Sequence, residues 1–173
     1  DLCALIWDGE QWNAASAAAL ATDLAANPVA GLPANRAFDV AIESSTGNAL
    51  VAWGAAAGTG FWWSRFDAGT QSWSAAANET AAPDNGSPHF VDLAAEPLSD
   101  RVAAAFCKLN GTERLGLATW NGAGWQDAGT YDSQINNLNN TGAGDFPAAV
   151  AWIGTAGAAV CVYGDSSSGR IDW

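Results

Sequence analysis

The sequence predicts an all-β fold, a propeller-like array of about three four-stranded antiparallel repeats with a split repeat at each terminus. Three observations support this prediction. A short aromatic turn motif occurs three times, longer apolar segments recur between the turns with a period of about 52–56 residues, and apolar and polar side chains alternate over short stretches. Such a period falls in the range of four-stranded propeller blades.

The turn motif places Asp or Asn close to Gly between two aromatic residues. It reads IWDGEQW at 6–12, RFDAGTQSW at 65–73 and TWNGAGW at 119–125. Because both central residues of a type I′ turn need positive φ, Asp-Gly and Asn-Gly predict tight hairpins whose flanking aromatics pack across the strands. The predicted turn residues are Trp7, Asp8, Gly9, Trp12, Asp67, Gly69, Trp73, Trp120, Asn121, Gly122 and Trp125.

The longer segments lie at 38–54, 90–107 and 146–164; each opens with Phe and has an aromatic residue at its next-to-last position. The closing aromatics Trp53, Phe106 and Tyr163 are therefore predicted to be equivalent. On this basis the chain is interpreted as one β-repeat domain, 1–173. It divides into a partial repeat 1–37, two repeats 38–89 and 90–145, and a partial repeat 146–173.

The stretch 38–73 defines the repeat best, with predicted strands at 38–45, 48–54 and 60–67 and a short fourth strand through Trp73. Its alternation predicts that Phe38, Val40 and Ile42 face one side of the first strand. Two connections are less regular. Residues 14–27 have high helix propensity, but their place in the repeat favours a strand followed by a loop, whereas the polar, Asn-rich residues 131–145 predict a loop.

The chain starts and stops inside a repeat, because residues 1–9 and 169–173 both match the third strand. Three repeats are too few to close a propeller. We therefore expect a fragment of a longer array, or a subunit that closes or polymerises through its neighbours. The absence of Met likewise predicts a processed chain or a segment. An open array has exposed edge strands, which pair readily with other chains.

Charge and cysteine usage narrow the possible partners and setting. Eighteen acidic residues against six Lys and Arg give a net charge of −12, which disfavours nucleic acid and anionic membranes. No apolar run reaches membrane-spanning length, and no signal peptide is visible. Cys3, Cys107 and Cys161 show no metal-ligand spacing, which leaves buried small hydrophobes, one disulfide plus an odd thiol, or an intermolecular bridge.

Catalytic and metal-binding signals are weak, and no enzyme activity or cofactor is predicted. His89 is the single histidine and is expected to be a solvated loop residue; one histidine with scattered cysteines cannot form a zinc site. Calcium is the one metal considered, through oxygen atoms at 83–87 and 137–145. A pair of facing carboxylates, as in glycosidases, is the remaining enzymatic hypothesis. The acidic residues with assigned turn or bend roles are Asp8, Asp67, Asp84, Asp100 and Asp165.

Three tryptophans fall outside the repeating aromatic positions and are the candidate ligand or partner contacts: Trp62, Trp63 and Trp152. Neighbours along a strand point to opposite faces, so Trp62 and Trp63 are predicted to serve different surfaces. Burial between blades and an exposed platform for a sugar or a protein are the two interpretations.

The blocks CALIWDGEQWNAA (3–15) and RAFDVAIESSTGNALVAWG (36–54) resemble repeats of large secreted or surface-anchored bacterial proteins that form propeller-like β arrays. That resemblance implies an extracellular or cell-surface location and a non-catalytic role. WDGEQW and WNGAGW also resemble the W-D-G-x-G-W turn of six-bladed fucose-binding lectins, which hold the sugar with an Arg and a Glu beside a Trp; the corresponding strands LGLATW and AAVCVYG lack both. SRFDAGTQSW is similar to the S-x-D-x-G-x-T-W box of sialidases, with an extra residue before Asp67.

The sequence therefore predicts a non-catalytic extracellular β-repeat module of a bacterial surface protein, filament or appendage, which acts by self-assembly or adhesion. Its expected partners are further copies or a longer parent chain. A carbohydrate-binding, lectin-like propeller that uses exposed tryptophans is the first alternative, with glycans as partners. A sialidase-like glycoside hydrolase fragment is the second.

Overall fold

The computed structural model describes residues 1–25, 36–83, 86–108, 113–135, 147–154, 157–165 and 171–172. Within these residues the chain is all-β: it forms four small antiparallel sheets and contains no helix. None of the four sheets closes on itself within the described part of the chain. The all-β prediction is confirmed.

The sheets follow one another along the chain. Sheet 1 pairs β1 (Leu2–Trp7) with β2 (Trp12–Ala21). Sheet 2 contains, in order, β3 (Phe38–Ile42), β4 (Ala49–Trp53), β5 (Phe61–Asp67) and β6 (Ser72–Trp73), and β7 (Ala77–Glu79) also pairs with β5. Sheet 3 contains β8 (Phe90–Ala95), β9 (Val102–Lys108), β10 (Arg114–Trp120) and β11 (Trp125–Asp132). Sheet 4 contains β12 (Ala148–Ile153), β13 (Ala158–Gly164) and β14 (Ile171–Asp172).

The two irregular connections differ in outcome. Residues 12–21 form β2, so the strand prediction is confirmed and the helical alternative is wrong for this part. Leu24 then forms an isolated bridge with Ala55, and residues 26–27 lie outside the described part. Tyr131 and Asp132 belong to β11, so the loop prediction is wrong for these two residues; residues 136–145 lie outside the described part.

The predicted hairpins form, but their turns are not of type I′. Asp8 and Asn121 each begin a four-residue loop, at 8–11 and 121–124, and only the glycine after each has positive φ, 103° at Gly9 and 92° at Gly122. The Asp8 carboxylate accepts the amides of Glu10 and Gln11, both at 2.9 Å. The loop is therefore set by the Asp or Asn side chain rather than by two left-handed residues, which corrects the predicted turn type.

The turns at Asn121 and Asp67 are closed in the same way, by a side-chain oxygen that accepts main-chain amides. The side-chain oxygen of Asn121 accepts the amides of Ala123 and Gly124, both at 2.9 Å. The Asp67 carboxylate accepts the amide of Thr70 at 2.7 Å, and its pKa is lowered chiefly by that bond. The aromatic pairs meet as predicted, with ring centroids 5.8 Å apart for Trp7–Trp12, 5.3 Å for Phe66–Trp73 and 5.6 Å for Trp120–Trp125.

The strand pairing shows that the opening phenylalanines of the repeats, unlike the closing aromatics, are not all equivalent. The closing aromatics are equivalent, since Trp53 pairs with Phe38, Phe106 with Val91 and Tyr163 with Ala148. Phe90 pairs one residue further along, with Cys107, so it does not correspond to Phe38. A one-residue shift moves a side chain to the other face of a sheet. Phe90 is 1% exposed and packs toward sheet 4, and Val91, the counterpart of Phe38, is 0% exposed and packs toward sheet 2, whereas Phe38 itself is 44% exposed.

Each sheet packs on the next, and the core lies between them. Leu2 of sheet 1 packs with Val51 and Trp53 of sheet 2. Between sheets 2 and 3 the rings of Phe61 and Phe106 stack with their centroids 3.9 Å apart. A third cluster joins sheets 3 and 4 through residues of β8, β9, β10, β12 and β13. Aromatic rings therefore supply the bulk of a core in which many positions are Ala.

Candidate interaction surfaces

The three tryptophans singled out from the sequence lie between sheets and are partly buried. Trp62 packs in the cluster that joins sheets 1 and 2. Trp63 packs toward sheet 3, with its ring centroid 4.9 Å from that of Trp120, so the two neighbours serve opposite faces as predicted. Trp152 donates its indole N–H to the carbonyl of Ala94 at 2.7 Å, and Arg101 lies 5.0 Å from its ring centroid. These contacts tie sheet 4 to sheet 3.

The exposed apolar side chains lie elsewhere, at the N-terminal side of the array. On β3, Val40 and Ile42 are 54% and 53% exposed, although they alternate with buried Ala41. In sheet 3 the position of Val40 is occupied by Leu93, which is 9% exposed because sheet 2 covers it. Nothing in the described part of the chain covers β3 in the same way. Phe38, Val40 and Ile42 are called the β3 face below.

Strand β1 shows the same contrast with its counterpart in sheet 3. Trp7 stands at the end of β1 as Trp120 stands at the end of β10, since each pairs with the Trp that follows its loop. Trp7 is 51% exposed, whereas Trp120 is 1% exposed and contacts Trp63 of sheet 2. Two residues earlier, Leu5 is 49% exposed and its counterpart Ala118 is 3% exposed. The side of β1 that is exposed therefore corresponds to the side of β10 that packs against sheet 2.

Two adjoining clefts occupy the space next to these exposed residues. One, of about 310 Å³, lies between β1 and β3–β4 and is lined by Leu2, Leu5, Ile6, Leu20, Phe38, Val40, Ile42, Val51 and Trp73, among others. The other, of about 510 Å³, continues past Trp7, Asp8 and Asn13. The two clefts together are called the N-terminal groove. The apolar side chains that line the cleft between β1 and β3–β4 suit a protein segment better than a small polar ligand.

The opposite end of the array presents an apolar surface of its own. In β12 and β13 the outward side chains Ala149, Ala151, Ile153 and Val162 are exposed, Ile153 by 53% and Val162 by 39%. These four residues are called the β12–β13 face. A third cleft of about 330 Å³ lies between this sheet and sheet 3, and is lined by residues that include Leu117, Thr119, Tyr131, Val150 and Cys161.

Contacts between neighbouring sheets follow a repeated pattern based on one carboxylate. The Asp39 side chain accepts the amide of Leu93 from the next sheet at 2.8 Å. Asp92, at the corresponding position of β8, accepts the amide of Val150 from sheet 4, also at 2.8 Å. Arg36 forms ion pairs with both carboxylates. In sheet 4 the same position is Ala149, which has no carboxylate to offer.

A buried glutamate makes a second contact between sheets 2 and 3. Glu43 is completely buried and accepts two bonds from Arg65, at 2.9 and 2.7 Å, and one from the Trp120 indole at 2.7 Å. Asn48 and Thr46 donate to it as well. Burial raises the pKa of Glu43, but the hydrogen bonds from Arg65 and these neighbours outweigh burial, and the net pKa is lowered. The corresponding residue of sheet 3, Glu96, is held by Arg101 and Ser99.

The remaining candidates for chemistry have structural surroundings. His89 is half-buried rather than solvated, and burial, followed by the charge of Lys108, lowers its pKa. Asp39 and Asp92 are two carboxylates beside one arginine, as the glycosidase alternative requires, but both hold main-chain amides of the next sheet. The two candidate calcium loops lie largely outside the described residues, and the described part contains no cluster of three or more metal-binding side chains.

The three cysteines are free and occupy different environments. Cys107 is fully buried, and desolvation raises the pKa of its thiol well above the usual value. Burial, followed by the charge of Asp92, raises the pKa of Cys161 to about 11. Cys3 is exposed on β1. The hypothesis of buried small hydrophobes therefore describes Cys107 and is wrong for Cys3.

Comparison with protein-family models, with curated proteins and with solved structures gives no match for this chain. The described residues also include no helix with the length and hydropathy needed to cross a membrane.

Proposed function

We propose that this chain is a non-catalytic β-repeat module that acts by self-assembly or adhesion through its N-terminal groove. Its four sheets follow one another as blades of a propeller-like array, and its place is the outside of a bacterial cell, in a surface protein or appendage. The extracellular part of the proposal depends on the resemblance of 3–15 and 36–54 to repeats of such proteins.

The observation that carries the proposal is the exposure of the β3 face. Exposed apolar residues are common one at a time, but three on one strand that line an apolar cleft mark an interaction surface. Val40 is 54% exposed, while its counterparts Leu93 and Val150 are covered by the sheet before them. In sheets 3 and 4 this position is therefore covered by the face of the preceding sheet. We expect a partner that presents a sheet face to cover Val40 in the same way.

The repeated carboxylates argue for an architectural role rather than a catalytic one. Asp39 and Asp92 occupy the same register position in successive sheets and make the same bond to the next sheet. A catalytic pair would be a single constellation with different roles for its two members. The sugar-binding alternative depends on exposed indoles; among the described residues these are Trp7 and Trp12, at 51% and 64%. Trp7 is exposed for the same reason as the β3 face: no neighbouring sheet in the described part of the chain covers it as sheet 2 covers its counterpart Trp120.

The test replaces Val40 by Glu and measures self-association by sedimentation velocity over a rising concentration series, together with binding of labelled chain to bacterial cells. Because Val40 is exposed, Val40→Glu should leave the unfolding free energy within about 0.5 kcal/mol of the wild type. We expect it to abolish association or cell binding, since burying an unpaired carboxylate is costly.

Leu98→Glu is the matched control, because Leu98 is 86% exposed in the loop between β8 and β9 and is not part of the β3 face. It adds the same charge and removes the same kind of side chain. We expect this variant to behave like the wild type. If Val40→Glu also matched the wild type in both assays, the β3 face would not be the working surface.

A further inference from the structure

A further cleft, of about 430 Å³, lies between sheets 1 and 2 beside the residues that follow β2. The described residues that line it are six alanines together with Leu20, Thr22, Asp23, Trp53 and Trp62. Among the described residues it shares Leu20 alone with the N-terminal groove. Small-molecule sites usually have volumes of about 300–1,000 Å³ and largely apolar walls with a few polar groups, and this cleft has both properties. It is called the Trp62 cleft below.

Trp62 occupies a repeat position at which sheet 3 has a glycine. Trp62 pairs with the closing aromatic Trp53, and Gly116 pairs with the closing aromatic Phe106. Main chain that follows sheet 2 covers Gly116 closely, since a Cβ added there would lie 2.8 Å from the nitrogen of Pro83. An indole does not fit beneath main chain at that distance, and Trp62 lines the cleft instead. The repeat is therefore broken at a residue of the cleft wall, and departures of this kind are expected at functional sites.

Asp23 gives the cleft its charge. Its side chain is exposed, and its main-chain carbonyl accepts the amide of Ala56 at 3.2 Å, which ties it to the loop on the other side of the cleft. The described lining residues include no lysine, arginine or histidine to balance this carboxylate. The whole chain has a net charge of −12, so the cleft attracts cations and repels anions.

We propose that the Trp62 cleft binds a small molecule with a quaternary ammonium group, which lies against the Trp62 indole and near the Asp23 carboxylate. The face of an indole attracts cations more strongly than that of any other aromatic side chain. The alanines and Leu20 supply apolar surface for the methyl groups of the cation. This inference goes beyond the proposed self-assembly or adhesion and uses a different surface.

The walls favour a quaternary ammonium group over a primary amine. A primary ammonium brings several N–H donors, and each donor left unpaired in an apolar cleft weakens binding. Among the described lining side chains, those that accept hydrogen bonds are Thr22 and Asp23, and both are exposed. A trimethylammonium group has no N–H donor to satisfy, so it can lie against the indole and the alanines while its charge remains within reach of Asp23.

The test follows the indole N–H signal of Trp62 in proton–nitrogen NMR spectra of the full chain while choline is added to millimolar concentration. The chain has ten tryptophans, and Trp62→Phe identifies the signal because it removes that indole N–H alone. The matched probe is the carbon analogue of choline, in which an uncharged tert-butyl group replaces trimethylammonium. We expect choline to shift the Trp62 signal, and the carbon analogue to bind about tenfold more weakly.

Two variants separate the charge from the indole. Asp23→Asn keeps the shape of an exposed side chain, so it should fold like the wild type and bind choline about threefold to fivefold more weakly. Glu10→Gln removes the same charge from a residue that does not line the cleft, and it should change the affinity by less than about twofold. Trp62→Leu removes the ring face and should weaken choline binding by about tenfold, while the other indole signals report whether the variant is folded.

A Trp62 signal that does not shift at millimolar choline would overturn the site. Equal affinities for choline and its carbon analogue would overturn the assignment of a cation, as would an Asp23→Asn variant that binds choline as the wild type does. Val40 does not line the Trp62 cleft, so Val40→Glu should bind choline normally even where it abolishes association. The failure of choline binding therefore leaves the proposed function standing, and the failure of association leaves the Trp62 cleft standing.

Discussion

Replacing Glu43 by Gln tests whether the buried glutamate stabilises the contact between sheets 2 and 3. The side chain is completely buried, and Arg65, Asn48, Thr46 and Trp120 all donate to it. Breaking a buried ion pair from one side costs about 3–5 kcal/mol. Arg65 retains some access to water, with its side chain 26% exposed, so we expect the lower value of about 3 kcal/mol.

The assay is guanidinium unfolding at pH 7, followed by tryptophan fluorescence, with thermal unfolding as a second measurement. A loss of about 3 kcal/mol corresponds to a decrease of about 6–12 °C in Tm for a chain of this size. Glu10→Gln is the matched control, because Glu10 is exposed in the first hairpin loop; it should change stability by less than about 0.5 kcal/mol.

The pH dependence separates the charge of Glu43 from its shape. The folded-state pKa is lowered from 4.5, so the charged side chain contributes its full stability above about pH 4.5 and loses it as the pH falls through the lower, folded-state pKa. The difference between wild type and Glu43→Gln should therefore be constant from pH 7 to about pH 5 and narrow below pH 4.5. Equal stabilities at pH 7, or a difference that does not narrow in acid, would refute the role given to this carboxylate.

Two further predictions concern a hairpin loop and the thiols. Asn121→Ala removes the acceptor of two loop amides and should cost about 1 kcal/mol in unfolding free energy, whereas Asn121→Asp should cost less than half as much; equal losses would show that the side-chain oxygen does not set the loop. In dilute folded protein a thiol reagent should modify Cys3 first, Cys161 slowly because its pKa is about 11, and Cys107 only after unfolding, as peptide mass spectrometry would show; early modification of Cys107 would contradict its burial.

The strands of the fold could be predicted because their signals are local. Asp-Gly, Asn-Gly and the paired aromatics mark hairpins within a few residues, and the alternation of Phe38, Val40 and Ile42 gives one face of β3 correctly. The turn type could not be obtained in this way, because it depends on whether Asp8 and Asn121 use the backbone or the side chain to close the loop. The surroundings of that side-chain oxygen decide which of the two turns forms, and the dipeptides Asp-Gly and Asn-Gly are compatible with both.

The contacts between sheets were missed for a different reason. Matching Phe38 with Phe90 places the repeats one residue out of register, and this shift hides the correspondence of Asp39 with Asp92. Matching the acidic residues instead gives one spacing of 53 residues for Asp39 to Asp92, Glu43 to Glu96 and Trp53 to Phe106. The signal was present in the sequence, but an aromatic residue is a weaker marker of register than a carboxylate that must reach one amide.

The same register explains why Trp7, Val40 and Ile153 are exposed although none of them is polar. Each stands on a side of its strand that, at the corresponding position of another sheet, packs against a neighbouring sheet. Their counterparts Trp120, Leu93 and Glu43 are covered at those places by named contacts. Scattered surface hydrophobes would show no such correspondence. The β3 face therefore has the exposure of a surface that this fold covers with a neighbouring sheet elsewhere.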